Sequence, residues 1–142
     1  MIYVDTSALV ALLTQEEATA RVTEWYTAET DLLVSADWCI AEFASALAAK
    51  QRAKQLRAGH SSKAQLAFDA LATGGLRLLP VSRDAHRQAA RLCQQPGSWQ
   101  RAGDALHLAV ALEAGATGLA GLDATMNASA QQLGLKLALA AR

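Results

Sequence analysis

Four acidic residues, Asp5, Glu42, Asp104 and Asp123, stand where a carboxylate either caps a helix or serves a site. Asp5 follows the β-rich run Ile2–Val4 and precedes the apolar helix former Ala8–Leu13, so it sits where a short buried strand turns into a helix. In an open α/β sheet that edge is where ligands bind, although a lone Asp there is also a good helix cap. Glu42 lies among Cys39, Ile40, Ala41, Phe43 and Ala44, where a carboxylate is costly unless it is paired, holds a cation or points outward. Asp104 opens the apolar stretch Ala105–Leu112, where the helix dipole favours a negative charge. Asp123 ends the glycine-weakened strand candidate running from Thr117 to Leu122 and repeats the placement of Asp5.

If these acids converge, two carboxylates ~4 Å apart repel by roughly 4 kcal/mol at an effective dielectric near 20. Protons or a cation must neutralise them. An all-oxygen set without thiolates or paired histidines selects a hard ion, magnesium or manganese. Such ions stay partly hydrated and bind phosphate oxygens, which points to phosphodiester hydrolysis by metal-activated water.

The elements that must position these acids alternate between strand and helix without hairpin signals, which predicts a parallel α/β/α sandwich with a mostly parallel central sheet. A helix is expected over residues 15–29, with Val22, Trp25 and Tyr26 as its apolar stripe. Leu32–Val34 is the second strand, and Ser35 or Asp37 caps a helix starting near Trp38. Beyond it His60 reads as a loop residue, Ser61 or Ser62 caps a further helix, and Gly74–Gly75 ends it. Leu76–Val81 is the third strand, finishing at Pro80 or lying near an edge, and Ser82 caps the next helix. The loop Gln95–Ser98 delivers Trp99, which reads as a core plug with base stacking as the alternative. His107 reads as a structural hydrogen-bond partner. Met126–Leu133 continues as a helix, and Leu135–Leu139 is the last strand.

At 142 residues the chain is expected to form one domain, residues 1–142, with a sizeable core. Its formal net charge is +0, so nucleic-acid binding must use local patches. Lys50, Arg52, Lys54, Arg57 and Lys63 form one basic run, and Arg83, Arg87 and Arg91 form a stripe on one helix face; each is a phosphate contact or simply a solvated face. Cys39 and Cys93 suggest neither a zinc site nor a disulfide framework. With no apolar run of ~18 residues and no basic leader, a cytoplasmic protein with no membrane association is expected.

The chain resembles the PIN-domain ribonucleases, especially the VapC-like toxins of prokaryotic toxin-antitoxin pairs. The resemblance is carried by Val4 Asp5 Thr6 Ser7 Ala8 Leu9, by Ala41 Glu42, by Ala102 Gly103 Asp104 Ala105 Leu106 His107 Leu108 Ala109 and by Leu122 Asp123. It implies an acidic magnesium or manganese site of Asp5, Glu42, Asp104 and Asp123, with Ser7 supporting a water of the metal. It also implies an RNA substrate, a small antitoxin whose carboxyl-terminal tail wraps the toxin, and a homodimer. Where the family often has Thr or Ser two positions before the last acid, this chain has Gly121.

Other activities fit less well. A phosphatase of the haloacid dehalogenase type would carry Asp-x-Asp, but Ser7 stands at the second position; a nucleotide-binding α/β domain would want a glycine-rich phosphate loop after the first strand, and Asp5 Thr6 Ser7 Ala8 offers none. A PIN-like module that only binds RNA or protein, and a housekeeping nuclease without an antitoxin, remain as alternatives.

Overall fold

The sheet is built outward from its first strand. In a computed structural model describing residues 1–139, β1 (Ile2–Val4) pairs in parallel with β2 (Leu33–Ala36) on one side and with β4 (Gly118–Ala120) on the other. Its registers are Ile2 opposite Leu33 and Val4 opposite Ala120. β3 (Arg77–Leu79) lies beyond β2 and β5 (Lys136–Leu137) beyond β4, giving the parallel order β3-β2-β1-β4-β5. Residues 140–142, the end of the expected domain, lie outside the described residues.

Period-two alternation sends Tyr3 to one face of the sheet and Val4 to the other, and each seeds a core. Tyr3 packs with Ala85, Leu92, Leu108 and Met126 from α5 (Arg83–Gln94), α6 (Ala102–Glu113) and α7 (Ala124–Gln132). Val4 packs on the other face with Leu9, Val22, Phe43 and Phe68 from α1 (Thr6–Leu13), α2 (Thr19–Ala28), α3 (Trp38–Arg52) and α4 (Ala58–Gly74). There the Phe43 and Phe68 rings stack with centroids 4.6 Å apart. This is the expected α/β/α sandwich, and its described strands are all parallel. No helix among the described residues is long and apolar enough to cross a membrane.

Strand order reverses direction between β1 and β4, and parallel α/β sheets leave a crevice at the strand ends beside such a switch. Asp5 follows β1 and Asp123 follows β4, so the topology brings residues 118 apart in the chain to one edge.

Several element boundaries depart from the sequence expectation. Residues 15–29 are not one helix: the chain breaks after Leu13 and resumes at Thr19, because the Thr19 hydroxyl accepts from Glu16 N (2.8 Å) and donates to Ala11 O (2.7 Å), pinning a turn. α4 starts at Ala58, so His60 is helical rather than in a loop, and neither Ser61 nor Ser62 is its cap. Ser61 N already donates to Arg57 O (2.9 Å), and the Ser62 hydroxyl donates to Ala58 O (3.1 Å) within the helix. Neither Ser35 nor Asp37 caps α3 through its side chain: Ser35 is buried within β2, and Asp37 makes no side-chain cap bond. β3 ends at Leu79 before Pro80, on the sheet edge as proline requires. The Ser82 cap is present, with its hydroxyl accepting from Ala85 N at 2.9 Å.

Candidate active site

Asp5 is the N-cap of α1 and is buried. Its Oδ2 accepts from Ser7 N (3.0 Å) and from the Ser7 hydroxyl. Ser7 Oγ in turn accepts from Leu122 N (2.9 Å), and Asp5 N donates to Ala120 O (2.9 Å), so the turn after β1 is fastened to the turn after β4. Cap and site placement therefore coincide in Asp5.

Glu42 reaches the same edge from α3 and is held by a buried polar chain. Its Oε1 accepts from the Thr6 hydroxyl (2.8 Å) and from Nε2 of His107, whose ring is fully buried in α6. His107 Nε2 also lies 3.6 Å from Asp5 Oδ1. On its far side, His107 Nδ1 is 2.7 Å from the Tyr3 hydroxyl, which accepts from Ala36 N at 3.0 Å. One chain of contacts thus joins β2, β1, α6, α1 and α3, and His107 has the structural role its apolar surroundings suggest.

Asp104 lies in the first turn of α6, and its carboxylate accepts no hydrogen bond among the described residues. Asp123 is the N-cap of α7, its Oδ1 accepting from Met126 N at 2.7 Å. Asp5, Glu42 and Asp123 thus each use one oxygen for the protein's own hydrogen bonds.

Asp104 feels the charges of the other three acids. Burial raises the Asp104 carboxyl above its usual value, and the nearby charges of Asp123 and Asp5 raise it further. Burial would raise Glu42 as well, but the hydrogen bond and charge of His107, with smaller help from Thr6 and Trp38, outweigh it and hold Glu42 low. Burial would lower His107, yet its bond to Glu42 and the charges of Asp5, Glu42 and Asp104 raise it. Among the described residues no group of three or more acid, His or Cys side chains is gathered closely enough to hold an ion as it lies. Cys39 is not a rival nucleophile, since burial pushes its thiol up to about 11.

A groove of about 780 Å³ runs from the acids along α1 and α3, lined by Thr6, Ser7, Glu42, Lys50, Leu122 and Asp123. Lys50, the first residue of the basic run, turns to Glu16 at 2.5 Å. In the arginine stripe, Arg87 pairs with Asp84 at 3.0 Å and Arg91 donates to Gln88. Both sets are thus partly engaged with their own neighbours. Trp99 is not a core plug: the residue is 86% exposed. The preceding Gln95–Ser98 loop holds it outside the two apolar clusters.

Three further residues belong to the site. Thr6 holds Glu42, Tyr3 holds His107, and Gly103 leaves room, since a Cβ there would stand 3.3 Å from both Glu42 Oε2 and Trp38 Nε1. Thr6 could have been found from its place beside Asp5. Tyr3 carried no sequence signal, because its partner lies 104 residues away.

Compared with known proteins, the sequence matches the model of the PIN domain family over residues 2–127. The chain is a PIN-domain protein. No curated protein matches it. Among solved structures this PIN domain is similar to VapC20 of Mycobacterium tuberculosis, described as a sarcin-ricin loop cleaving toxin. The TM-score is 0.74 at 21% identity, over 91% of this chain and 95% of that one. It is also similar to FitAcB from Neisseria gonorrhoeae, with a TM-score of 0.67 at 16% identity over 96% of each chain. A third likeness is to FitAB bound to a DNA fragment, with a TM-score of 0.70 at 18% identity over 100% of this chain and 98% of that one. At these identities the likeness is one of fold.

Proposed function

We propose that this PIN-domain protein is a divalent-metal-dependent ribonuclease and the toxin of a toxin-antitoxin pair. The observation that carries the proposal is the meeting of acids at one strand-end crevice: Asp5 caps α1 after β1, Asp123 caps α7 after β4, Ser7 fastens the two turns together, and the charges of both acids act on Asp104, so the cluster calls for a cation. Membership of the PIN family and the fold shared with VapC20, itself described as a toxin that cleaves the sarcin-ricin loop, support the same reading.

Asp5, Glu42, Asp104 and Asp123 would hold magnesium or manganese, since the set offers only carboxylate oxygens of the kind a hard ion takes. When bound, the ion supplies a Lewis acid for a phosphate oxygen and lowers the pKa of water. Asp5 and Glu42 are oriented before any substrate arrives, by Ser7 and by Thr6 with His107. Ser7 supports the site from the Asp5 side and fixes the Leu122 backbone across from it. Asp104, whose carboxylate accepts no hydrogen bond among the described residues, can turn to a cation at no cost in those contacts. A small antitoxin would cover the apolar and acidic groove along α1 and α3, carrying a basic side chain to the acids, and the toxin would act as a homodimer in the cytoplasm.

Cleavage of a mixed RNA substrate with magnesium, with excess chelator and with Asp104→Asn tests the proposal. Activity should require the metal and fall at least about 100-fold in the variant, the scale of losing one key electrostatic group, while the variant stays folded. Chelator-resistant cleavage, or a variant as active as its parent, would overturn it; failure to co-purify with the neighbouring small protein would remove the antitoxin.

A further inference from the structure

A second cavity of about 660 Å³ lies between the loop over residues 95–100 and α7. Two of its lining residues stand close in sequence to the acids. Ala124 directly follows Asp123, and Gln100 stands four residues before Asp104.

The cavity has the features of a site rather than a gap in packing. Trp99 stands in its wall with 86% of its surface exposed, although such an indole normally gains by burial. Gln100 is anchored by its amide nitrogen, which donates to Ser129 Oγ (2.5 Å) and to Thr125 O (3.2 Å). That anchoring fixes which end of the amide is the acceptor. The acceptor, Gln100 Oε1, is buried and has no partner among the described residues. A buried oxygen in that state costs free energy until a donor reaches it. Arg101 is exposed beside them and makes no ion pair among the described residues.

We propose that this cavity is a nucleobase subsite of the RNA substrate: Trp99 stacks on an unstacked base, Gln100 Oε1 accepts from that base's amino or imino group, and Arg101 meets the adjoining phosphate. Single-stranded RNA presents a flat π-face, edge N–H donors and a phosphate within one nucleotide, which matches these three features. The volume is in the range of sites that take one small planar group. An apolar peptide would use the indole but leave the arginine without a counter-charge. The subsite deepens the ribonuclease assignment and rests on it for the identity of the strand, yet it is tested without the chemistry.

Binding of a short, fluorescein-labelled single-stranded RNA is read by fluorescence anisotropy in excess chelator at low ionic strength, for the parent, Trp99→Ala, Trp99→Phe and Gln100→Met. Trp99→Ala should weaken binding about 5- to 150-fold, the span of losing one base stack. Trp99→Phe should restore most of it. Gln100→Met should flatten the preference among strands differing in one base. Because Trp99 is exposed, its loss does not threaten the fold, and melting temperature confirms this for each variant. Equal binding by parent and Trp99→Ala, or no binding by the parent, overturns the subsite even if the parent cleaves RNA. Weakened binding by Trp99→Ala upholds it even if metal-dependent cleavage fails. Loss of co-purification with the small neighbouring protein in Trp99→Ala, with RNA binding unchanged, would assign the cavity to a protein and overturn it as well.

Discussion

Glu42 and Asp104 are both half-buried carboxylates at the same strand-end crevice, and they are perturbed in opposite directions. Glu42 has a histidine and a threonine on one oxygen and is held low; Asp104 has no hydrogen bond among the described residues, is buried near Asp123, Asp5 and Glu42, and is raised. Burial pushes both upward, so the partners decide the sign. One side of the crevice is a rigid wall completed by the protein itself. On the other side the charge of His107 is outweighed by burial and by the neighbouring acids.

Removing the partner that makes the difference should have the largest effect. His107→Ala takes away a fully buried ring, leaving the Tyr3 hydroxyl and Glu42 without their shared neighbour and a cavity between β1 and α3. The expected cost is about 3 kcal/mol, or roughly 10 °C in melting temperature. A variant that melts with its parent would show that Glu42 is held low by something else.

The comparison is sharpened by neutralising each acid in chelator. At neutral pH Glu42→Gln should lower the melting temperature and Asp104→Asn should raise it, each by no more than about 2 to 4 °C, because both groups are partly solvated. The pH dependence follows from the two directions. A carboxyl whose folded pKa is depressed gives stability that is present above the unfolded value and lost as pH falls through the folded one, so the Glu42→Gln difference should fade in acid. A raised carboxyl costs stability above its folded pKa and nothing below the unfolded one, so the Asp104→Asn gain should also vanish there. Two shifts of the same sign at neutral pH would remove the contrast.

Gly121→Ser should have the smallest effect. A Cβ there would lie 3.0 Å from Met126 Cε, 3.3 Å from Asn127 Oδ1 and 3.4 Å from Asp5 Cβ. The tightest contact is the free end of a flexible side chain, and Asn127 Oδ1 is buried without a partner among the described residues, so a serine hydroxyl has an acceptor beside it. Stability should stay within about 1 kcal/mol of the parent and cleavage should persist. A larger loss, read by thermal melting, would mean that Met126 cannot yield.

Much of this organisation was legible in the sequence because it depends on local pattern. The strand, acid, helix order around Asp5 and Asp123 follows from hydrophobic runs and cap positions, and the same pattern gave the parallel sandwich. What escaped depends on pairs distant in the chain. Tyr3 serves the site only through His107, which no periodicity links to it. The break before Thr19 was hidden because one hydroxyl, not a proline or glycine, ends the helix. Trp99 was misplaced for a related reason: hydrophobicity predicts burial, and nothing local reveals that a neighbouring loop holds the indole outside both cores.

The central strand has a consequence for when the protein becomes active. β1 is made first but gains its second neighbour only when Gly118–Ala120 has joined it, and His107, Asp104 and Asp123 all come from the last third of the chain. Contacts across more than 100 residues close late, since loop closure must be met before they reward it. On the ribosome, where the amino-terminal part emerges first, a nascent chain that has not reached Asp123 has two of its four acids still unmade or unplaced. The crevice is thus a product of finished synthesis, and on the proposed ribonuclease reading chains released before that point would lack a complete acidic site.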